Sequence, residues 1–235
     1  MIDWQPVYLS LKVAVVSLVF VFALGIAAAL FMIRKQFPGK AAVEAFITLP
    51  MVLPPVVTGF VLLLIIGKNG PVGRLLAEYF GTQLIFTPAA AVLAAIVIAF
   101  PLMYQSAKAA LQSVDSTLED AARTLGAGEM RVVFTVTLPL ALPGLVAGAV
   151  LSFARALGEF GATIMIAGNI PGKTQTIPLA IYFASEANDL EKAGYYVAII
   201  SLITFGAIFW LNTWTKAKLN HLKRRGGWRH AESSD

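Results

Sequence analysis

The sequence predicts an all-α membrane protein, a polytopic helical bundle of about five transmembrane helices, and three observations carry that expectation. Of 235 residues, 58% are hydrophobic and only 13% charged, against roughly 25% charged in a soluble domain. Five stretches, at 9–33, 41–66, 88–110, 138–167 and 194–215, are apolar over about the 20 residues that a bilayer crossing needs. Lysine and arginine are also distributed unevenly between the connections. With the N-terminus outside, the cytoplasmic pieces collect Arg34, Lys35, Lys40, Lys108, Arg123, Arg131 and the basic tail. The outer pieces keep Lys12, Lys68, Arg74, Lys173 and Lys192, so the positive-inside rule puts the C-terminus in the cytoplasm. A single membrane domain is expected over 1–215, with a basic cytoplasmic tail at 216–235.

The first stretch begins Met1-Ile2-Asp3-Trp4, without a positive leader, and its basic cluster follows it. It reads as a retained span and not as a cleaved signal. Pro50, Pro54 and Pro55 interrupt the second stretch, and Pro101 the third. Each proline removes a helix hydrogen bond, which a membrane tolerates where protein or a water-filled cavity satisfies the freed groups. Pro54, Pro55 and Pro101 are therefore candidate hinges, although bends are also frequent in bundles that transport nothing. The fourth stretch carries Arg155 and Glu159, four apart and able to pair on one helix face. A helix starting near Pro143 puts Arg155 about 18 Å along, close to mid-membrane. A lone charge there costs at least about 2.5 kcal/mol. The pair is either a polar point in a pathway or a self-neutralised tie between helices. Trp4, Tyr8, Tyr195, Tyr196, Trp210 and Trp214 lie near span ends, where interfacial anchors belong.

Between the third and fourth stretches lies a charged connector. Ser116 followed by Glu119 is a capping box that starts a short helix, and Gly126 suits its left-handed close. Leu118, Ala121, Ala122 and Leu125 share one face, with Glu119, Asp120 and Arg123 opposite. A helix this short is marginal unless it packs on something. It lies on its own protein, on the membrane surface, or against a partner.

Enzymatic chemistry finds no foothold in the sequence. There is no cysteine, hence no disulfide or thiolate site. The two histidines, His221 and His230, both fall in the basic tail. Gly-x-Ser-x-Gly and His-Glu-x-x-His are missing, so no catalytic or metal-binding residues and no cofactor are assigned. Ala167-Gly168-Asn169-Ile170-Pro171-Gly172-Lys173-Thr174 loosely fits a phosphate loop, but it follows a membrane span and not a buried strand, so an external turn is expected. Topology and the anionic inner leaflet account for the net charge of +5, without nucleic acid.

The connector resembles the cytoplasmic signature of bacterial ABC-importer permease subunits: Glu-Ala-Ala, three residues, Gly, nine residues, Ile, one residue, Leu-Pro. Asp120-Ala121-Ala122, Gly126, Val136 and Leu138-Pro139 meet that spacing, with Glu119 beside the acidic position. Further stretches look most like the molybdate branch of the oxyanion permeases. They are Leu49-Pro50-Met51-Val52-Leu53-Pro54-Pro55-Val56-Val57-Thr58-Gly59, Arg155-Ala156-Leu157-Gly158-Glu159-Phe160-Gly161-Ala162-Thr163 and Gly168-Asn169-Ile170-Pro171-Gly172. The resemblance implies a type I ABC importer permease fold in the bacterial inner membrane, with a coupling-helix loop at about 112–137. It implies Glu119, Asp120, Ala121, Ala122, Gly126, Leu138 and Pro139 as the residues that couple to an ATPase. It further implies a homodimer, two ATP-binding cassette subunits that carry ATP and Mg²⁺, and a soluble molybdate-binding protein outside. Sulfate permeases share much of the fourth-span and Gly-Asn-x-Pro pattern, and tungstate matches molybdate in size and charge, so a sulfate/thiosulfate or tungstate permease is the alternative. A membrane scaffold that recruits a soluble partner is the reading from another class, and an ion-driven carrier is disfavoured by the lack of internal repeats.

Overall fold

The computed structural model describes residues 3–225, with side chains as far as Thr215; the side chains of the basic tail, with His221 and His230, lie outside the described residues. The first helix, α1 (Gln5–Arg34), opens on Pro6 and closes on an extended Lys35. The second stretch is two helices, α2 (Lys40–Val52) and α3 (Pro55–Ile66), bent by 115°. The bend follows from chemistry: Leu53 and Pro54 each precede a proline and are pushed into extended backbone, and Pro55 then starts a new helix. A short α4 (Pro71–Phe80) leads to α5 (Pro88–Gln112), whose N-cap Thr87 accepts from the Ala90 amide. After α6 (Ser116–Thr124), α7 (Glu129–Val132), a π turn (Val133–Thr137) and α8 (Leu138–Leu157) form one run. Then come α9 (Gly161–Ala167), α10 (Ile177–Glu186) and α11 (Leu190–Arg225). Among the described residues, four helices are long and apolar enough to cross a membrane, and the bent pair passes the same test when taken together as one broken span.

Small side chains set the packing. Ala90, Ala91, Ala94, Ala95, Ala99 and Ala107 bury α5 between α1, α8 and α9. A Cβ on Gly25 would meet Met103 at 2.7 Å, one on Gly144 would meet Ala110 at 2.5 Å, and one on Gly148 would meet Ser106 at 2.5 Å. Close approach through small residues is how helices associate where lipid supplies no hydrophobic drive. Ser17 of α1 donates to the Val92 carbonyl of α5, and Gly25 reaches Met103, so α1 and α5 run the same way. The pairs Gly144–Ala110 and Gly148–Ser106 show α8 running against them.

Four expectations are corrected. The fourth span does not run on to residue 167: it begins at Glu129 and ends at Leu157, and α9 is a separate short helix after a break. Pro101 does not interrupt the third span, nor Pro50 the second, because α5 and α2 run through them. Tyr196 is no surface anchor; it is buried, and its hydroxyl donates to the Asp3 carbonyl at 2.8 Å. Ser116 is not the cap of α6, a role that falls to Asp115. The sequence reading also missed α10, although Thr176-Ile177-Pro178 has the proline-first signature of a helix start.

Candidate functional site

Two places concentrate polar chemistry: the α6 end of the bundle, and a junction of helix breaks partway up it.

At the first, Asp115 accepts the Thr117 amide at 2.9 Å and so satisfies one of the orphan donors of the α6 start. Thr117, through that amide first, holds the Asp115 carboxyl below the usual aspartate range. The helix closes as expected at Gly126, whose φ of +84° only glycine adopts at no cost. The Ala127 amide donates to Ala122 and the Gly126 amide to Arg123, the paired bonds of a Schellman close. These two caps stabilise a nine-residue helix that buries none of its own residues. Leu118, Ala121 and Leu125 point away from the bundle, and Leu125 is 88% exposed.

The opposite side is tied down through Arg123. Its guanidinium donates to Glu129 at 2.6 Å, Asp120 at 2.7 Å and Glu119 at 3.2 Å. Hydrogen bonds to Glu129, then Asp120, push its pKa above the ordinary arginine value. Glu129 also takes Arg34, at the end of α1, at 3.1 Å. Glu119 turns inward and accepts the Thr137 hydroxyl in the π turn, whereas Asp120 stays 70% exposed. The two acidic neighbours thus part company: Glu119 holds the helix to the bundle, and Asp120 faces outward. A cleft of about 600 Å³ opens between these elements, lined by Arg34, Lys35, Glu119, Arg123, Glu129 and Thr137 among others.

The π turn has a local cause. Pro139 has no N–H, and its ring in a regular helix would press on the Thr135 carbonyl. Widening the turn by one residue relieves this, and the Leu138 amide bonds Val133, five residues back. Leu138 and Pro139 therefore mark a joint within the fourth span, where the π turn passes into α8.

At the second place, Arg155 donates to Glu159 at 2.8 Å, so the expected pair forms. It does not lie along one helix face, because α8 ends between its members. Glu159 is 1% exposed in its side chain and accepts the Ala162 amide at 2.7 Å with its other oxygen, capping α9. Both of its oxygens are taken. The break around Gly158 to Phe160 sits on the break around Pro54: a Cβ on Gly161 would lie 3.0 Å from Pro55 Cβ and 3.0 Å from the Val56 nitrogen. Gly59 of α3 lies against Ala162 and Met165 of α9 in the same way. Pro54 and Pro55 thus stand in this junction, and Pro101 in the unbroken α5 beside it.

A further cluster escaped the sequence reading. Glu44 of α2 accepts from Lys108 at 2.6 Å and from the Tyr104 hydroxyl at 3.2 Å, both on α5. An acidic residue inside an apolar stretch is a signal in itself, and Glu44 was the one to follow. The phosphate-loop look-alike is a turn whose Thr174 hydroxyl donates to the Gly168 carbonyl and accepts the Ile170 amide, so it is spent inside the loop.

Comparison with known proteins places this geometry. The profile of the family described as binding-protein-dependent transport system inner membrane component matches residues 21–218. The molybdenum transport system permease protein ModB of Escherichia coli K12 is 50% identical over 200 residues, 85% of this chain and 87% of that protein. ModB of Haemophilus influenzae is 46% identical, over 92% of this chain and 96% of its own. Putative permease YvgM of Bacillus subtilis is 47% identical, over 88% and 92%. Among solved structures, the inward-facing MetNI methionine ABC transporter superposes with a TM-score of 0.69 at 21% identity, covering 91% of this chain and 94% of that one. A bacterial alginate ABC transporter gives 0.71 at 18%, covering 94% and 78%. These two likenesses speak for the fold.

Proposed function

Because the chain belongs to the family of binding-protein-dependent transport system inner membrane components, we propose that it is the membrane-spanning subunit of a molybdate importer. It is a multi-pass protein of the inner membrane. The observation that carries the mechanism is the two-sidedness of α6: an outward apolar face of Leu118, Ala121 and Leu125, and an inward polar face bound to the bundle through Arg123. A separate ATPase subunit binds and hydrolyses ATP with Mg²⁺; this chain supplies no catalysis and no metal site. The outward face, with Asp120, Ala121 and Ala122, docks in a cleft of that ATPase. Nucleotide-driven closure of two ATPases moves α6, and the Glu119–Thr137 and Glu129–Arg34 contacts pass the motion to the fourth and first spans. Two copies of the chain form the path. The α6 end faces the cytoplasm, and the opposite end, with the Gly168-Asn169 turn, receives an anion-binding protein. The breaks at Pro54 and Pro55, with Pro101, are the joints at which the spans change tilt.

The test is ATP-dependent uptake into proteoliposomes that hold this chain, its ATPase and its binding protein. Molybdate uptake is expected, with tungstate competing and sulfate competing poorly. A cysteine at Ala121 or Ala122 is expected to cross-link to the ATPase. Cross-links that reach only lipid or this same chain would overturn the docking, and stronger competition by sulfate would reassign the anion.

A further inference from the structure

We propose that Arg155 contacts the translocating oxyanion, with Glu159 as the residue that positions it; the inference rests on the importer reading above.

Height comes first. Gly144 lies against Ala110 and Gly148 against Ser106. Continuing that antiparallel register by seven residues on each helix sets Arg155 level with Ala99, near the middle of α5 (Pro88–Gln112). A charge at that level is strongly disfavoured against lipid. Yet 35% of the Arg155 side chain is uncovered, and among the described residues it makes one hydrogen bond, through Nη1 to Glu159. A guanidinium carries five N–H donors. The remaining donors need water, an anion or a polar group of another subunit, so the uncovered edge faces the interior of the assembly.

Its surroundings narrow the choice. The Glu159 carboxylate is fully engaged, with one oxygen on Arg155 and the other on the α9 amide of Ala162. It orients the guanidinium from behind and leaves its outer edge for a ligand. Gly161, two residues on, packs on Pro55, so Arg155 stands where two interrupted helices meet. Interrupted helices near mid-membrane frame substrate sites in transporters. The other basic residues of the described spans stand toward helix ends: Lys12 near the start of α1 and Arg34 at its close, Lys40 and Arg131 and Lys192 in the first turns of α2, α7 and α11, and Lys108 near the end of α5, on Glu44. Arginine's planar fork matches two oxygens of a tetrahedral dianion. The partial neutralisation by Glu159 keeps the hold weak enough for release.

The test uses the full complex in proteoliposomes. Arg155→Lys keeps the charge and the tie to Glu159 but loses the fork; it is expected to cut molybdate uptake about tenfold. ATP hydrolysis stimulated by loaded binding protein should stay within about twofold of wild type. Because the chain has no cysteine, Leu151→Cys, one turn back on the same side of α8 and 42% exposed, gives a clean probe that leaves the pair intact. A membrane-impermeant thiol reagent is expected to label it, and millimolar molybdate to slow the labelling. Unchanged uptake by Arg155→Lys would refute the contact. So would absence of labelling, or parallel loss of uptake and stimulated hydrolysis, which marks a structural pair. Failure of the wild-type complex to take up molybdate at all would instead strike the importer reading.

Discussion

Replacing Gly59 with alanine drives a wedge between α3 and α9. The added Cβ would lie 2.7 Å from the Ala162 Cα and 2.9 Å from the Met165 Cβ, while ordinary contact begins near 3.4 Å. The two helices must therefore part by about 0.7 Å at Ala162. The obstacle there is backbone, which cannot rotate aside as the end of a side chain can. Overpacking of this kind costs about 1–3 kcal/mol. Scaled as for a soluble protein of this length, that is about 2–12 °C in the midpoint of thermal unfolding. Gly206→Ala on α11 is the control, since nothing lies within 4 Å of its new methyl. Thermal unfolding of the purified protein in detergent measures both variants. Gly59→Ala should lose stability and uptake together, while Gly206→Ala should match or slightly exceed wild type. A Gly59→Ala protein as stable as wild type would mean that the two broken spans do not lie back to back.

Three other expectations can be checked with the same preparations. Asp115→Ala removes the α6 cap and should destabilise that helix by about 1 kcal/mol, while Asp115→Asn keeps most of it; cross-linking of α6 to the ATPase reads the difference. The Asp115 carboxyl is held below its usual range, so its contribution is complete above the unfolded aspartate value and fades only as pH falls through the folded one. Asp115→Ala should therefore differ from wild type equally at pH 6 and pH 8. Gly126→Pro cannot adopt the φ of +84° found there and should abolish uptake with normal membrane insertion on blots. Glu44→Ala leaves Lys108, near the end of α5, without its partner and should cost about 1 kcal/mol; Glu44→Leu with Lys108→Leu should recover most of that loss in thermal unfolding.

The spans were legible because bilayer thickness writes itself into sequence as runs of apolar residues, and the bend at Pro54 because paired prolines leave the backbone no helical option. The Gly126 close was readable for the same local reason. Position 157 as the end of the fourth span was only half legible: Gly158 and Gly161 permit a break there, but the cap that Glu159 gives α9 and the packing of Gly161 on Pro55 come from the fold. The Arg123 hub was half visible. Glu119 and Asp120 stand in the same helix and pair by spacing, but Glu129 and Arg34 meet it only through the fold. Tyr196 misled for a related reason: its place near a span end says nothing of which face of α11 it occupies, and that face covers the start of α1.

The π turn at Val133–Thr137 decouples the length of the chain from the alignment of its seams. One surplus residue is stored there, so deleting Phe134 or Thr135 can be absorbed as a regular helix, at the cost of setting the Pro139 ring back against a backbone carbonyl. The Gly144 and Gly148 contacts with α5 would keep their places. The same deletion within α8 would swing those glycines about 100° off their partners. Homologous subunits that differ by a single amino acid between α6 and the glycine seam can therefore share one membrane architecture while presenting their docking helix at a different angle.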